Sequence, residues 1–403
     1  MSKTKCRIRN DEAPSSVPDQ GISRRGFISK LGIATAGLVI GACSQAKSPL
    51  APEMAGSAAQ KTAPIPSPNL PQYPETLAKV AKAKIDCYER TMIRKQIEAM
   101  FDALGGINDL IKSGDKVGIK INLTGGINSF GRNPTPPFDL YLTHPEIVRA
   151  VGELAKDAGA SEIYVVEAVY EWESFTYQDP LSGLSHEDVT NYLGGTLIDL
   201  NAKKPYGDYK VRPVGDGGLI YNQLTQNGIL DDFDCFISLP KAKRHACAGV
   251  THAMKNLVGT LPVPCGLYNA GATNRKAIHN HPNGNSDLCR VILDLNKATP
   301  IHLTVIDAIK TNVIGEGPWN TGRNQLAQVA FDTLLAAKGD MVAADAVATN
   351  VIGFNPMATD FSEPFPDSIN YLKLASELGM GTYDLDQIEV IDATASTYVR
   401  PWP

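Results

Sequence analysis

Three stretches decide the fold class: Lys116-Val-Gly-Ile-Lys-Ile-Asn122, Pro145-Glu-Ile-Val-Arg-Ala-Val-Gly-Glu-Leu-Ala-Lys-Asp-Ala158 and Glu162-Ile-Tyr-Val-Val166. In the first, Val117, Ile119 and Ile121 alternate with Gly118, Lys120 and Asn122, which is the two-residue period of a strand. The second reads as a helix opened by Thr143-His144-Pro145 and closed by Gly159. The third is a short, buried strand. Strand, helix and strand in that order predict a right-handed crossover and parallel pairing.

The same grammar extends in both directions. Thr91 to Leu104 has helical spacing and stops at Gly105-Gly106. Helices are expected at His186–Leu193, Val250–Val258, Ser286–Lys297, Asp340–Ile352 and Ser368–Leu378. Strands are expected at Thr196–Leu200, Asp234–Leu239, His302–Ile309 and Gln387–Ile391. The prediction is an α/β fold of mainly parallel strands flanked by helices, arranged as one sheet or as two Rossmann-like lobes around a cleft. No period points to a solenoid.

The domain spans 75–403, and what precedes it has a different character. Ser23-Arg24-Arg25-Gly26-Phe27-Ile28-Ser29-Lys30 resembles a twin-arginine export signal. The apolar run Leu31–Ala42 is too short to span a bilayer. It closes on Ile40-Gly41-Ala42-Cys43, which looks like a lipoprotein processing box with Cys43 as the acylated residue. Residues 1–43 therefore read as a signal peptide. Residues 44–74, rich in Pro, Ala and Ser, read as a disordered linker. The expected partners are the twin-arginine export machinery and a membrane, the latter through the lipid alone. The expected location is extracytoplasmic. A net charge of −5 without a basic stripe argues against nucleic acid.

The densest polar segment runs from Lys241 to Gly259, beyond the apolar strand Cys235-Phe-Ile-Ser-Leu239. Ligands of parallel α/β sheets sit past the carboxyl ends of the strands. A helix starting near Gly249 would pair Thr251 with Lys255 and His252 with Asn256 by i,i+4 spacing. Its N-terminus among cations would attract an anion. A second polar set, Lys120, Asn122 and Thr124, lies on one face of an apolar strand. A lysine buried there needs a partner or a ligand, and Glu167 could pair with it or act as a base. A solvated basic loop and an edge strand with one wet face are the plainer alternatives. Asp307 lies near a strand end, and Asp340 is the expected cap of the helix that follows it. The loop Gly315-Glu316-Gly317-Pro318-Trp319-Asn320-Thr321-Gly322 has neither P-loop nor dinucleotide spacing, so neither ATP nor NAD is favoured.

A transition metal is a further option. His245, Cys247, His252, His279 and His281 fall within one span, which holds four of the seven histidines. No spacing among them matches a familiar metal motif. No Cys-x-x-Cys occurs, so no iron–sulfur cluster motif is present.

Several of these motifs together resemble the domain-of-unknown-function-362 family. They are Lys120-Ile-Asn122, Thr143-His144-Pro145-Glu146, Leu239-Pro240-Lys241 through His245, Gly249-Val-Thr251, Lys255-Asn256-Leu-Val-Gly259, and Gly339-Asp340 with Asp345-Ala-Val-Ala. The Lys-Asn-Leu-Val-Gly block is the most specific. Members of that family often carry twin-arginine signals, and some carry ferredoxin modules that this sequence lacks. Arg244 stands where the family commonly has threonine, and His252 where it commonly has glycine. His245 through Lys255 is also similar in layout to a stretch of nickel-pincer lactate racemases, which implies a small anionic substrate.

Three function classes follow. The first is an exported enzyme acting on a small anionic, carboxylate-like molecule. In it, His245 and Lys255 are the catalytic candidates and Lys120, Asn122, Lys241, Thr251 and Asn256 the binding ones. The second is a non-catalytic solute- or cofactor-binding lipoprotein using the same cleft. A metal or redox accessory protein is a third reading.

Overall fold

The computed structural model describes residues 77–127, 138–180, 182–203, 208–264, 271–317 and 328–395. The signal, the linker and Cys43 lie outside the described residues. So does the whole of the unit Asp11–Gln72 by which contacts divide the chain; everything below concerns the other unit.

Its strands are β1 (Ala78–Lys84), β2 (Lys116–Ile121), β3 (Glu162–Glu167), β4 (Thr196–Asp199), β5 (Tyr209–Pro213), β6 (Gln223–Asn227), β7 (Cys235–Leu239), β8 (Lys243–His245), β9 (Gly249–Thr251), β10 (Leu303–Asn312), β11 (Gln328–Lys338) and β12 (Ile388–Asp392). The helices used below are α1 (Arg90–Ala103), α2 (Pro145–Asp157), α3 (His186–Tyr192), α4 (Ala253–Asn256), α5 (Asn285–Ala298), α6 (Met341–Val351) and α7 (Tyr371–Glu377).

One eight-stranded sheet, in the order β12-β1-β11-β10-β7-β2-β3-β4, organises the described residues. Only β11 runs against its neighbours; every other pairing in this sheet is parallel. The α/β class with mainly parallel strands is therefore as read. The strands join in a single sheet rather than in two lobes. The pairs β5-β6 and β8-β9 stand apart as small antiparallel hairpins.

The β2–α2–β3 unit forms as its sequence predicts. Lys116 pairs with Glu162 and Lys120 with Val166, in parallel register. His144 caps α2 by accepting the Glu146 N–H on its Nδ1, and Pro145 takes the first turn, where its missing N–H costs nothing. α1 ends where Gly105 and Gly106 adopt φ of 84° and 82°, a conformation that only glycine enters freely.

The wet-edge alternative for β2 is excluded, because β3 and β7 flank it on both sides. Val117, Ile119 and Ile121 join Ile93, Ile97 and Met100 of α1 and Ile147, Val148 and Val151 of α2 in one core. Each such side chain contributes roughly 1.5–3 kcal/mol. Lys120, of the opposite parity, points to the other face, where its side chain is fully buried. That face carries the site.

The expected helix over Val250–Val258 does not form. Residues Gly249–Thr251 are instead strand β9, folded back on β8, and only the single turn α4 and a 3₁₀ turn, Leu257–Thr260, follow. The supposed Thr251–Lys255 helical face therefore does not exist.

Candidate functional site

The site begins with a lysine in the middle of the sheet. Lys120 Nζ donates to Glu167 Oε2 at 2.8 Å, to the Ile121 carbonyl at 2.6 Å and to Asn256 Oδ1 at 3.3 Å. Burial pulls its pKa down to about 8, with Glu167 opposing the shift and Arg275 and Lys255 reinforcing it. Glu167 is as fully engaged. It accepts from Leu123 N–H, Ala168 N–H and Arg275 Nη2, besides Lys120.

Asn256 locks this pair to the chain beyond β7. Its Nδ2 donates to the Lys120 carbonyl at 3.1 Å and to Ser238 Oγ at 3.0 Å, and its Oδ1 also accepts from Asn122 Nδ2. Gly259 completes the packing. A Cβ there would stand 2.2 Å from Glu167 Oε1 and 2.5 Å from Lys120 Nζ. The block from Lys255 to Gly259 is thus the lid of a buried ion pair.

Around this pair lie further buried cations. The segment after β7 is extended, so Lys241, Lys243 and His245 share one parity and turn inward, while Arg244 turns outward to Glu363. Lys243 Nζ, fully buried, donates to the Tyr141 carbonyl at 2.6 Å. Burial holds its pKa well below the ordinary lysine value; Glu316 opposes this and Lys255 and Lys241 add to it. Lys255 is 8% exposed, and its ammonium has no hydrogen-bond or ion-pair partner among the described residues. Burial lowers its pKa. Glu316 and Cys247 act against that shift, and Arg275 acts with it. Lys120, Lys243, Lys255 and Arg275 therefore share the field of Glu167 and Glu316, four basic groups to two carboxylates. Such a surplus in a poorly solvated place favours an anion.

His245 has a defined proton. Its Nδ1 accepts the N–H groups of Cys247 and Ala248, at 3.1 and 3.2 Å, so the hydrogen of the neutral ring sits on Nε2. Nε2 lies 3.9 Å from Glu316 Oε2. Burial holds the ring neutral by pushing its pKa well below the usual histidine value, and Lys255 and His279 add to the shift. A neutral imidazole that can only donate suits polarisation of an oxygen better than removal of a proton. Asn122 Oδ1 and Thr251 Oγ1, both buried, have no hydrogen-bond partner among the described residues.

Three expectations are corrected. Lys241 does not join this cluster: it is spent on Asp307 at 3.0 Å and on the Tyr88 hydroxyl at 2.8 Å, with no exposure. The helix N-terminus is not free for a ligand, because Asp345 accepts the Ala253 and Met254 N–H groups, at 2.7 and 3.1 Å. The metal candidates do not assemble. His281 meets Tyr221, His279 is exposed, and His252 is buried with no hydrogen bond to its ring nitrogens among the described residues. No group of three or more His, Cys, Asp or Glu side chains among the described residues is placed to hold a metal ion. Asp340 caps α6 through the Ala343 N–H, as expected.

Sequence reasoning missed Lys243, Arg275 and Asp345. The parity of Lys241, Lys243 and His245 was a usable signal for the first. Asp345 stood in one of the family motifs, with nothing to tie it to the Ala253 turn, and Arg275 reaches the site from a distant segment and carried no signal.

His252 gives a test of burial. Its ring is fully buried, and that environment drives its pKa down to about 3. Below the ordinary value near 6.5 the unfolded chain takes up a proton that the folded chain refuses, so the folded state loses stability as pH falls from 6.5 towards 3. His252→Leu is expected to cost under about 1.5 kcal/mol at pH 7. At pH 5 the comparison should move in the variant's favour by about 2 kcal/mol. Urea unfolding at both pH values measures this, and parallel losses in the two proteins would contradict it.

An eight-stranded α/β sheet with a buried cluster of cations past its parallel strand ends defines the general class of this protein. Residues 117–350, more than half of the chain, match the family described as domain of unknown function (DUF362), and the chain belongs to that family. A thylakoid-associated protein of Synechocystis sp. is 28% identical over 184 residues, 45% of this chain and 50% of that protein. This chain thus spans about half the length of that relative. Among solved structures, the lactate racemase apoprotein from Thermoanaerobacterium thermosaccharolyticum is similar over 66% of this chain and 54% of that one, with 12% identity and a TM-score of 0.33. A likeness at that level carries no argument about the site.

Proposed function

We propose that the cluster around Lys255 binds a small organic anion of the carboxylate class and that the protein is an enzyme acting on it. The observation that carries this reading is Lys255 itself: a lysine only 8% exposed whose ammonium has no hydrogen-bond partner among the described residues, beside a surplus of other basic groups. A largely desolvated charge without a partner is costly, and a bound anion offsets that cost. Lys243 and the Nε2–H of His245 are the further donors, and Lys120, Asn122 and Asn256 hold the floor beneath them. The His245 donor favours an enzyme over a passive binder, because a neutral imidazole can polarise a carbonyl or carboxyl oxygen.

Lys255→Met keeps the aliphatic length and removes the charge. Loss of one charge-assisted hydrogen bond should weaken binding of a small carboxylate about ten- to a hundredfold, or roughly 1.5–3 kcal/mol. Melting curves with and without acetate measure this. Equal stabilisation of both proteins would make Lys255 part of the scaffold.

The location belongs to the same proposal. Arg24-Arg25 and the box ending in Cys43 support export by the twin-arginine route and a lipid anchor, with no role for nucleic acid. Cys43→Ala should then move the protein from the membrane fraction to the soluble one. Unchanged fractionation would defeat the anchor.

A further inference from the structure

Four lysines are buried in this part of the fold, and their partners separate them. Lys120 is paired with Glu167, Lys241 with Asp307, and Lys243 is tied to the Tyr141 carbonyl. Lys255 alone of the four has no bonding partner among the described residues, and it alone keeps some exposure, 8% against none for the others. An amine with nothing to hold its lone pair or its protons, beside other cations, is the arrangement that makes lysine a nucleophile.

We infer that Lys255 forms an imine with the carbonyl carbon of a small 2-oxo acid, while the neighbouring basic groups hold the acid's carboxylate. The substrate class follows from joining two requirements. The surplus of cations calls for an anion, and an uncommitted amine calls for an electrophilic carbon next to it. The smallest molecule that supplies both is an oxo acid.

The step balances without a further reactant. Lys255 Nζ attacks the carbonyl carbon as the C=O π pair moves to oxygen, which takes a proton. The carbinolamine then expels that oxygen as water, carrying both former amine hydrogens, and the nitrogen lone pair closes the C=N bond. The Nε2–H of His245 is the donor available to the developing oxyanion, and Lys243, whose Nζ keeps a hydrogen beyond the one it gives to the Tyr141 carbonyl, is the donor available to the carboxylate. Burial, with Arg275 acting in the same direction, lowers the Lys255 pKa and so raises the fraction of free amine near neutral pH; Glu316, Cys247 and Cys289 act the other way. Lys120, Lys243, His245 and His279 also share this field.

This inference rests on the proposed anion site, and the experiment keeps the two apart. The full chain is incubated with glyoxylate or pyruvate and sodium cyanoborohydride, and peptides are mapped by mass. Acetate, which has no ketone or aldehyde, serves in parallel melting curves. The expected result is stabilisation by all three acids and one saturable adduct on Lys255, with the mass of the oxo acid less one oxygen. Lys255→Arg keeps the cation but is no nucleophile, and should lose that adduct. Stabilisation without an adduct on Lys255 overturns the imine and leaves the anion site standing. No stabilisation by any acid overturns both. An adduct spread evenly over exposed lysines, and unchanged in Lys255→Arg, also overturns the imine; if that variant fails to fold, Lys255→Met and the wild-type peptide map decide alone.

Discussion

Glu167→Ala is expected to destabilise the protein by about 3–5 kcal/mol, the usual cost of removing one partner from a buried ion pair. Glu167 faces Lys120 at 2.8 Å and Arg275 at 3.0 Å, and its side chain is only 3% exposed. Its loss leaves two buried cations without a carboxylate and also frees the Leu123 and Ala168 N–H groups. Replacing both members of the Lys120–Glu167 pair by apolar residues should cost less than the sum of the single changes, since no charge is then stranded. Urea unfolding of the single and double variants measures this. A loss below about 1 kcal/mol for Glu167→Ala would mean that water reaches the pair and that this face of the sheet is not dry.

Gly259→Ala comes next in size, at about 3 kcal/mol, the upper range for forcing extra atoms into a packed interior. Its φ lies outside the left-handed region, so the backbone tolerates alanine and the cost is steric. The added carbon would meet Glu167 Oε1 and Lys120 Nζ, both far below van der Waals contact. Flexible side-chain ends ordinarily swing away cheaply. Here each is pinned by several hydrogen bonds, so the ion pair must open or the Leu257–Thr260 turn must lift. If the clash is with the pair, Gly259→Ala should add little to Glu167→Ala. Additive losses would place the strain elsewhere.

Where hydrophobic period and local caps determine the structure, the sequence was readable. The strand from Lys116, the helix opened by His144-Pro145 and the strand from Glu162 depend on neighbours within a few residues, and they form as predicted. Strand β11 was not foreseen. Asp332, with φ of 49°, breaks its run, and besides the preceding strand β10 it pairs with β1, far along the chain. The Val250–Val258 helix failed for a related reason. Ala-Met-Lys-Asn-Leu has helical propensity, but Gly249, with φ of 77°, lies hard against the ring of Phe365 and sets a strand ahead of it. Asp345, 92 residues away, then fixes where the short turn begins.

The site divides along the same line. The inward parity of Lys241, Lys243 and His245 is a property of an extended strand that was not foreseen there, whereas Glu167 was foreseen as a partner for Lys120. Which lysine was already paired was not. Lys241 finds Asp307 and Tyr88, whereas Lys255 finds no such partner among the described residues, and both outcomes depend on long-range packing that residue type does not encode. The pattern therefore yields a set of basic residues, and only the fold sorts them into scaffold and site.

The central claim, that Lys255 marks an anion site, is tested most directly by anomalous diffraction from crystals of the protein soaked in bromide. The account predicts one anomalous peak in contact with Lys255 Nζ, lost in Lys255→Met and displaced by acetate. A cluster without such a peak, and with Lys255 Nζ hydrogen-bonded to a protein oxygen instead, would contradict it.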